Sequence, residues 1–413
     1  MSVKQVKRLD VLGRIDAGAL TVGEAATVLG MSRRQVQRLR RAVRKRGPEA
    51  VVHGNAGRPP PNRGSDTIRA KVLKLARTKY QGFNDCHLTE KLVSVEHVAI
   101  SRPSVQRLLR AAGVGPPRRR RPPKHRRRRD RKPQAGLMLL WDGSPHDWLE
   151  GRGPILCLVG AIDDATGELL PGARFVEQEC TAAYLHVLEA LVRAKGLPLS
   201  IYMDRHSALK RNDDSWTLEE ELRGKQDPTQ VQRALEALVI TPIYALSPQA
   251  KGRVERLWGT LQDRLVSELR LAGACTCAQA NAVLERYLPE FNRRFTVAPR
   301  EATPAWRPLP RGLDLRRVCS FCYQATVGND NAVRLEGLVI DIPPGPRGRS
   351  YAKARVEVRQ YLDGSWGVYH EDRLIATAAA TDLGELRVRK RRKRPVASRL
   401  FREAVKRVGA ALP

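Results

Sequence analysis

Three carboxylates stand where acids can act together. Asp142 closes the apolar run Leu137–Trp141, and Asp204 closes Leu199–Met203. Glu255 falls in the first turn of a predicted helix whose Val254, Leu257, Trp258, Leu261, Leu265 and Leu269 form an apolar stripe at helical spacing. Acids ending neighbouring strands converge, and a third from an adjacent helix closes the set. Three such groups side by side repel and raise one another's pKa, so the set implies a cation. Hard oxygen donors suit Mg²⁺, which keeps several waters and needs few protein ligands. Two such ions about 3.5–4 Å apart serve phosphodiester chemistry by activating an oxygen nucleophile and stabilising a leaving oxygen. Taken singly, Glu255 is a helix-N-terminal acid favoured by the helix dipole. Asp163 and Asp164 open an Asp-Ala-Thr-Gly segment and are read as turn residues. Asp147 rivals Asp142 but follows Pro145 in a predicted loop.

The 413 residues carry 75 Lys and Arg against 43 Asp and Glu, a formal net charge of +32. Such an excess points to a polyanionic partner. Residues 1–135 hold 34 basic and 9 acidic side chains, whereas residues 136–315 hold 21 and 24. A near-neutral centre flanked by basic arms reads as a core delivered to nucleic acid by its flanks. No run of about 18 apolar residues is present, which excludes a helical membrane span, and Met1–Leu9 lacks the apolar segment of a signal peptide. The expectation is a protein without membrane partners in a bacterial cytoplasm, associated with the nucleoid. The seven cysteines are an odd number spread over a long chain, which argues for reduced thiols. Cys319-Ser-Phe-Cys322 is a lone CxxC within an apolar, strand-like setting.

Residues 1–50 read as a helix-turn-helix domain. Thr21-x-x-Glu24 is a capping box and Ser32 an N-cap for a third helix that exposes Arg33, Arg34, Gln35, Gln37, Arg38 and Arg41. Arg and Gln are the side chains that make bidentate contacts with guanine and adenine edges in the major groove. Residues 51–63 read as a linker whose Gly-Arg-Pro, with Arg58, suits a minor groove. Residues 64–115 form a second helical unit, read as another helix-turn-helix with Arg102 and Gln106 offered to DNA. Residues 116–134 are an Arg-rich linker, Arg119 and Arg127 among its charges; Pro116–Pro133 packs eleven Lys or Arg into eighteen residues. Were about ten of these to meet phosphates, log K would fall with log salt at a slope of roughly −9.

Residues 135–310 alternate strands and helices: three strands, helix, strand, helix, strand, helix. That is the order of a ribonuclease-H-like α/β domain. The helix near Gln230–Leu238 is preceded by a polar segment, Arg205–Thr229, read as an exposed flap or protein contact. Residues 311–384 show short alternating runs with Asp-Gly turns and predict a small all-β SH3-like barrel. Residues 385–413 are a basic tail.

The acidic positions, together with Ser247-Pro-Gln-Ala-Lys-Gly-Arg-Val-Glu-Arg256, Asp142-Gly-Ser-Pro-His-Asp-Trp148 and Asp204-Arg-His-Ser207, resemble those of the DDE transposases of bacterial insertion sequences with a retroviral-integrase-type core, the ISNCY-type group above all. The resemblance spans nearly the whole chain. It implies that Asp142, Asp204 and Glu255 are catalytic metal ligands, with two Mg²⁺ per site and Mn²⁺ as a substitute. It further implies cleavage of terminal inverted repeats of double-stranded DNA and transfer of a 3′-hydroxyl into target DNA by a homodimer or larger assembly. Lys251 and Arg253, flanking the acid, are expected to hold phosphate. Fifty residues separate Asp204 from Glu255, more than in integrases, which is why Arg205–Thr229 reads as an insertion. The alternative is a catalytically inactive, transposase-derived DNA-binding regulator.

Overall fold

The computed structural model describes residues 2–53, 55, 65–116, 129–211, 216, 218–245 and 252–386. The chain divides into two units, Met1–Lys71 and Val72–Pro413.

In the first unit, helices α1 (Val3–Asp16), α2 (Val22–Leu29) and α3 (Arg33–Arg46) close on Val11, Leu12, Ile15, Ala25, Ala26, Val36 and Val51. Gly30 ends α2 at φ 60°, the left-handed conformation that glycine adopts without a Cβ penalty. Ser32 then caps α3 reciprocally with Gln35. Asp16 at the end of α1 accepts from Arg40 at 2.5 Å and Arg44 at 2.6 Å, pinning α3 across it.

The second unit is built on a five-stranded sheet of β1 (Leu139–His146), β2 (Leu156–Asp163), β3 (Arg174–Val176), β4 (Ser200–Met203) and β5 (Thr241–Tyr244). The strands lie in the order β3-β2-β1-β4-β5, with β1–β3 antiparallel and β4 and β5 parallel to β1. Every residue of β2 is buried, as expected of a strand covered on both faces. One face carries α7 (Thr181–Lys195) and α9 (Gln230–Ala237) over Leu139, Trp141, Val159, Ile201 and Met203. The other carries α10 (Gly252–Leu271) and α11 (Cys277–Phe295) over Met138, Leu140, Leu158 and Ile162. Strand alternation accounts for the division. The described residues of the Arg205–Thr229 segment pack against the core rather than forming an exposed flap: Leu209 is fully buried in the α7 layer, and α8 (Leu218–Arg223) places Glu220 against Arg211 and the Asp227 amide.

A three-helix unit of α4 (Asp66–Arg77), α5 (Asp85–Ser94) and α6 (Arg102–Ala111) has its own core of Val72, Tyr80, Phe83, Leu88, Leu92, Val105 and Leu109. It meets α10 through charge. His87 lies 2.6 Å and Lys91 2.7 Å from Glu268, Arg264 lies 2.6 Å from Glu90, and the Asn84 amide donates to Asp263.

The C-terminal region departs from a closed barrel. After α12 (Leu315–Val318), β6 (Phe321–Thr326), β9 (Arg355–Gln360), β10 (Trp366–His370) and β11 (Arg373–Ala378) form an open antiparallel sheet ordered β11-β10-β9-β6. The hairpin β7 (Ala332–Leu335) and β8 (Leu338–Asp341) pairs only with itself among the described residues. Closure is unnecessary because the sheet's apolar face is covered from elsewhere. Phe321, Tyr323, Val358, Trp366 and Val368 join the same core as α7 and α9. Gln230 on α9 exchanges 2.9 Å hydrogen bonds with the Cys322 backbone, and Arg233 donates to the carbonyls of Val318 and Ser320. Cys319 is buried in that core, where its thiol is pushed upward by burial.

His186 on α7 lies near Arg174 of β3, and burial, reinforced by that charge, lowers its imidazole from 6.5 to about 4. Folded His186 thus stays neutral where unfolded His186 takes up a proton, so its contribution to stability is present above pH 6.5 and lost as pH falls toward 4. Up to about 3 kcal/mol is at stake. Thermal melts of the His186→Gln variant should show a shallower loss of Tm between pH 6.5 and 4 than the parent.

Candidate active site

Asp142 lies inside β1 and Asp204 directly follows β4. Those strands are parallel neighbours with Leu139 opposite Ile201 and Leu140 opposite Tyr202. Continuing that register two residues sets Asp142 beside Asp204. Side-chain alternation sends Asp142 to the face shared by Met138, Leu140 and Ser144, which is the face α10 covers. Two hydrogen bonds agree with this parity: Trp258 Nε1 donates to Asp142 Oδ2 at 3.1 Å, and Gln262 donates to the Ser144 hydroxyl at 3.1 Å. Asp204 Oδ1 accepts from the His206 amide at 3.0 Å.

Glu255 sits on the exposed side of the first turn of α10, one turn before Trp258. Among the described residues, no three His, Cys, Asp or Glu side chains come close enough together to hold one metal ion. The strand pairing sets the two aspartates at neighbouring backbone positions, and Glu255 lies on the adjoining helix. The donor set is all carboxylate oxygen, the type a hard divalent cation takes.

Glu179, in the link between β3 and α7, lies on the opposite, α7 face of β1 from the Asp142 side chain, against Gly143. It accepts from the Tyr184 hydroxyl, lies 3.7 Å from His206 Nδ1, and presents Oε2 so near Gly143 that a Cβ there would be 2.5 Å away. Burial first, and then the charges of Glu179, Asp142 and Asp204, hold the Tyr184 phenol well above its ordinary range. Nothing in the spacing of the sequence marks Glu179, because it ends no apolar run and opens no motif; only the fold places it against Gly143 and near His206.

The Asp163-Asp164 pair holds more than a turn. Asp163 does cap it, accepting from the Ala165 and Thr166 amides at 2.9 Å. Asp164 is fully buried and serves two guanidiniums, Arg129 at 2.6 Å and Arg253 at 2.5 Å, as well as the Lys132 amide at 2.8 Å. Burial alone would raise its carboxyl, but Arg129, the Lys132 amide and Arg253 together hold it below the usual range. Arg253, expected at a phosphate, is thus committed to Asp164 and to the Arg129 carbonyl. Asp147 accepts from the Gly151 amide in the turn that follows β1.

Of the residues expected to touch DNA, Arg33, Arg34, Gln37, Arg38 and Arg41 are exposed on α3, as are Arg102 and Gln106 on α6. Gln35 spends its side-chain oxygen on the Ser32 cap. Arg58, Arg119, Arg127 and Lys251 lie outside the described residues.

Comparison with known proteins fits this architecture. Residues 8–70 match a family model described as winged helix-turn helix. The chain is 35% identical over 365 residues to y4bF of Sinorhizobium fredii, a protein named as a transposase, covering 88% of this chain and 78% of that one. It is 32% identical over 335 residues to the transposase for insertion sequence IS1202 of Streptococcus pneumoniae, covering 71% and 69%. The chain belongs to this family of insertion-sequence transposases. Among solved structures, a simian T-cell lymphotropic virus intasome in complex with PP2A regulatory subunit B56 gamma aligns at TM-score 0.30 and 14% identity, over 75% of this chain and 99% of that one. The HTLV-2 integrase catalytic core domain in complex with magnesium aligns at 0.26 and 15%, over 37% and 84%. These likenesses are too weak to assign a fold, and the sheet order stands on its own.

The tight seat of Gly143 between Glu179 and Cys157 Sγ, which a Cβ would approach to 3.0 Å, predicts that Gly143→Ala destabilises the protein by about 1–3 kcal/mol through overpacking, read as a lower urea midpoint at unchanged slope.

Proposed function

We propose that this transposase binds the terminal inverted repeats of its element through α3 and the α4–α6 unit, and that it cleaves DNA and transfers a 3′-hydroxyl with Asp142, Asp204 and Glu255 as ligands of divalent metal. The observation that carries the reading is the parallel pairing of β1, which holds Asp142, with β4, which Asp204 directly follows, and the bond of Asp142 to the helix that bears Glu255. A ribonuclease-H-like reading of the core is supported by the sheet order and by the succession after β3 of helix, strand, two helices (α8 short), strand and two helices.

Asp142, Asp204 and Glu255 would hold Mg²⁺, proposed as two ions per site with Mn²⁺ as a substitute, which would supply activation of an oxygen nucleophile and stabilisation of a leaving oxygen. The chain's own part is to present oxygen donors from two rigid strand positions and one helix turn. Trp258 orients the Asp142 carboxylate through its indole N–H, and the His206 amide does the same for Asp204. Lys251 would meet phosphate beside these acids. The basic arms supply sequence-independent affinity, while the exposed Arg and Gln of α3 and α6 read bases. Joining two element ends requires at least two copies on DNA.

Labelled DNA carrying the inverted repeats that flank the gene, incubated with Mg²⁺, tests the assignment. Asp142→Asn, Asp204→Asn and Glu255→Gln should each lower cleavage by at least about a thousandfold, several kcal/mol of barrier, while repeat binding in a gel-shift assay stays within about twofold. Equal products from all four proteins would sink the assignment of these acids, and no product from any of them, with repeat binding intact, would instead support the DNA-binding regulator.

A further inference from the structure

The Glu255 carboxylate is useful only if the first turn of α10 is held at one height and one roll against β1. That hold is visible on one flank of the helix. Arg253 donates to Asp164 Oδ1 at 2.5 Å and to the Arg129 carbonyl, and its partner carboxylate is fully buried at the end of β2. Farther along α10, Trp258 and Gln262 make the bonds to Asp142 and Ser144 on β1. The buried stripe Val254, Trp258, Leu261 and Leu265 lies between these contacts and the sheet.

Residues two apart on a helix are about 200° apart around its axis. Arg253 and Glu255 therefore lie on opposite flanks of that stripe. Because β1 lies between β2 and β4, drawing Arg253 toward the end of β2 turns Glu255 toward β4, the strand that Asp204 follows. We infer that Asp164 and Arg253 are positioning residues for Glu255, an ion pair that sets the roll of α10 so that its acid faces the two aspartates; this rests on Glu255 being a site carboxylate. Arg129, the residue that leads out of the Arg-rich linker, shares the same Asp164 oxygen at 2.6 Å, so the junction also ties that linker to the helix.

The arrangement accounts for two features. Asp164 is a carboxylate at zero side-chain exposure with charged partners on both sides, and a buried acid is tolerated only when paired and hydrogen-bonded. It also gives Arg253 a reason to occupy the first turn, where a cation is unfavourable beside the helix's positive end.

The test uses the full-length protein with Arg253→Gln, the isosteric Asp164→Asn, the charge-preserving Arg253→Lys and Arg129→Gln, beside Glu255→Gln. Three readouts are taken: cleavage of labelled inverted-repeat DNA in Mg²⁺, gel-shift affinity for the same DNA, and amide hydrogen exchange of peptides covering 252–258. Arg253→Gln and Asp164→Asn should slow cleavage by about 10- to 100-fold, the cost of displacing a catalytic group by about 1 Å. They should speed exchange at 252–258 and leave DNA affinity and the rest of the exchange map unchanged. Arg253→Lys should recover most of both effects, and Arg129→Gln should be milder. Unchanged exchange at 252–258 overturns the inference, as does faster exchange with parental cleavage. Loss of DNA affinity beyond about tenfold in Arg253→Gln assigns the side chain to phosphate instead and also overturns it. Parental cleavage by Glu255→Gln sinks the site assignment itself, and the positioning role with it.

Discussion

The laying of α10 along β1 is the contact on which the remainder of this structure depends. One side of the helix buries Val254, Trp258, Leu261, Leu265 and Leu269 against the sheet, which supplies most of its anchoring energy at roughly 25 cal/mol per Å² of apolar area. Apolar packing is non-directional, however, and would tolerate sliding and rolling. Direction comes from the polar contacts at its edges: Arg253 to Asp164, Trp258 to Asp142 and Gln262 to Ser144.

The same helix is the seat of the α4–α6 unit. There the contact is made by Glu268, Arg264 and Asp263 meeting His87, Lys91, Glu90 and Asn84. A cavity of about 610 Å³ lies among α5, α10 and α11, lined in part by Glu90, Arg264, Glu268, Tyr287 and Arg294. The α4–α6 unit is thus joined to the helix bearing Glu255 by these polar and charged pairs, with Leu271 at the end of α10 packed against its apolar core. Such pairs owe their strength to geometry and weaken with misalignment.

On the sheet's other face, the C-terminal strands and the α7 layer share one core. That continuity explains why an isolated barrel does not form. A small β unit closes on itself when it has to bury its own apolar face, but here α7 and α9 already cover it, and Arg233, its guanidinium lowered to about 10 by burial, satisfies the carbonyls at the seam.

Periodicity by itself determined the helix-turn-helix of α1–α3, the succession of strands and helices in the core, and the candidacy of Asp142, Asp204 and Glu255, because apolar spacing, capping residues and strand-ending acids are local properties of the chain. Tertiary structure alone decided the partners. The pairing of β1 with β4 set Asp142 near the end of the strand that Asp204 follows, and alternation chose the α10 face for Asp142. Glu179 came to Gly143 through a link with no local signal. Asp164, which locally reads as a turn residue, became a buried junction only because Arg129 and Arg253, 35 and 89 residues away, fold onto it. Pairings over such separations depend on how layers stack, which no short-range pattern encodes. The stacking sets Asp142 against Trp258 of the helix that bears Glu255.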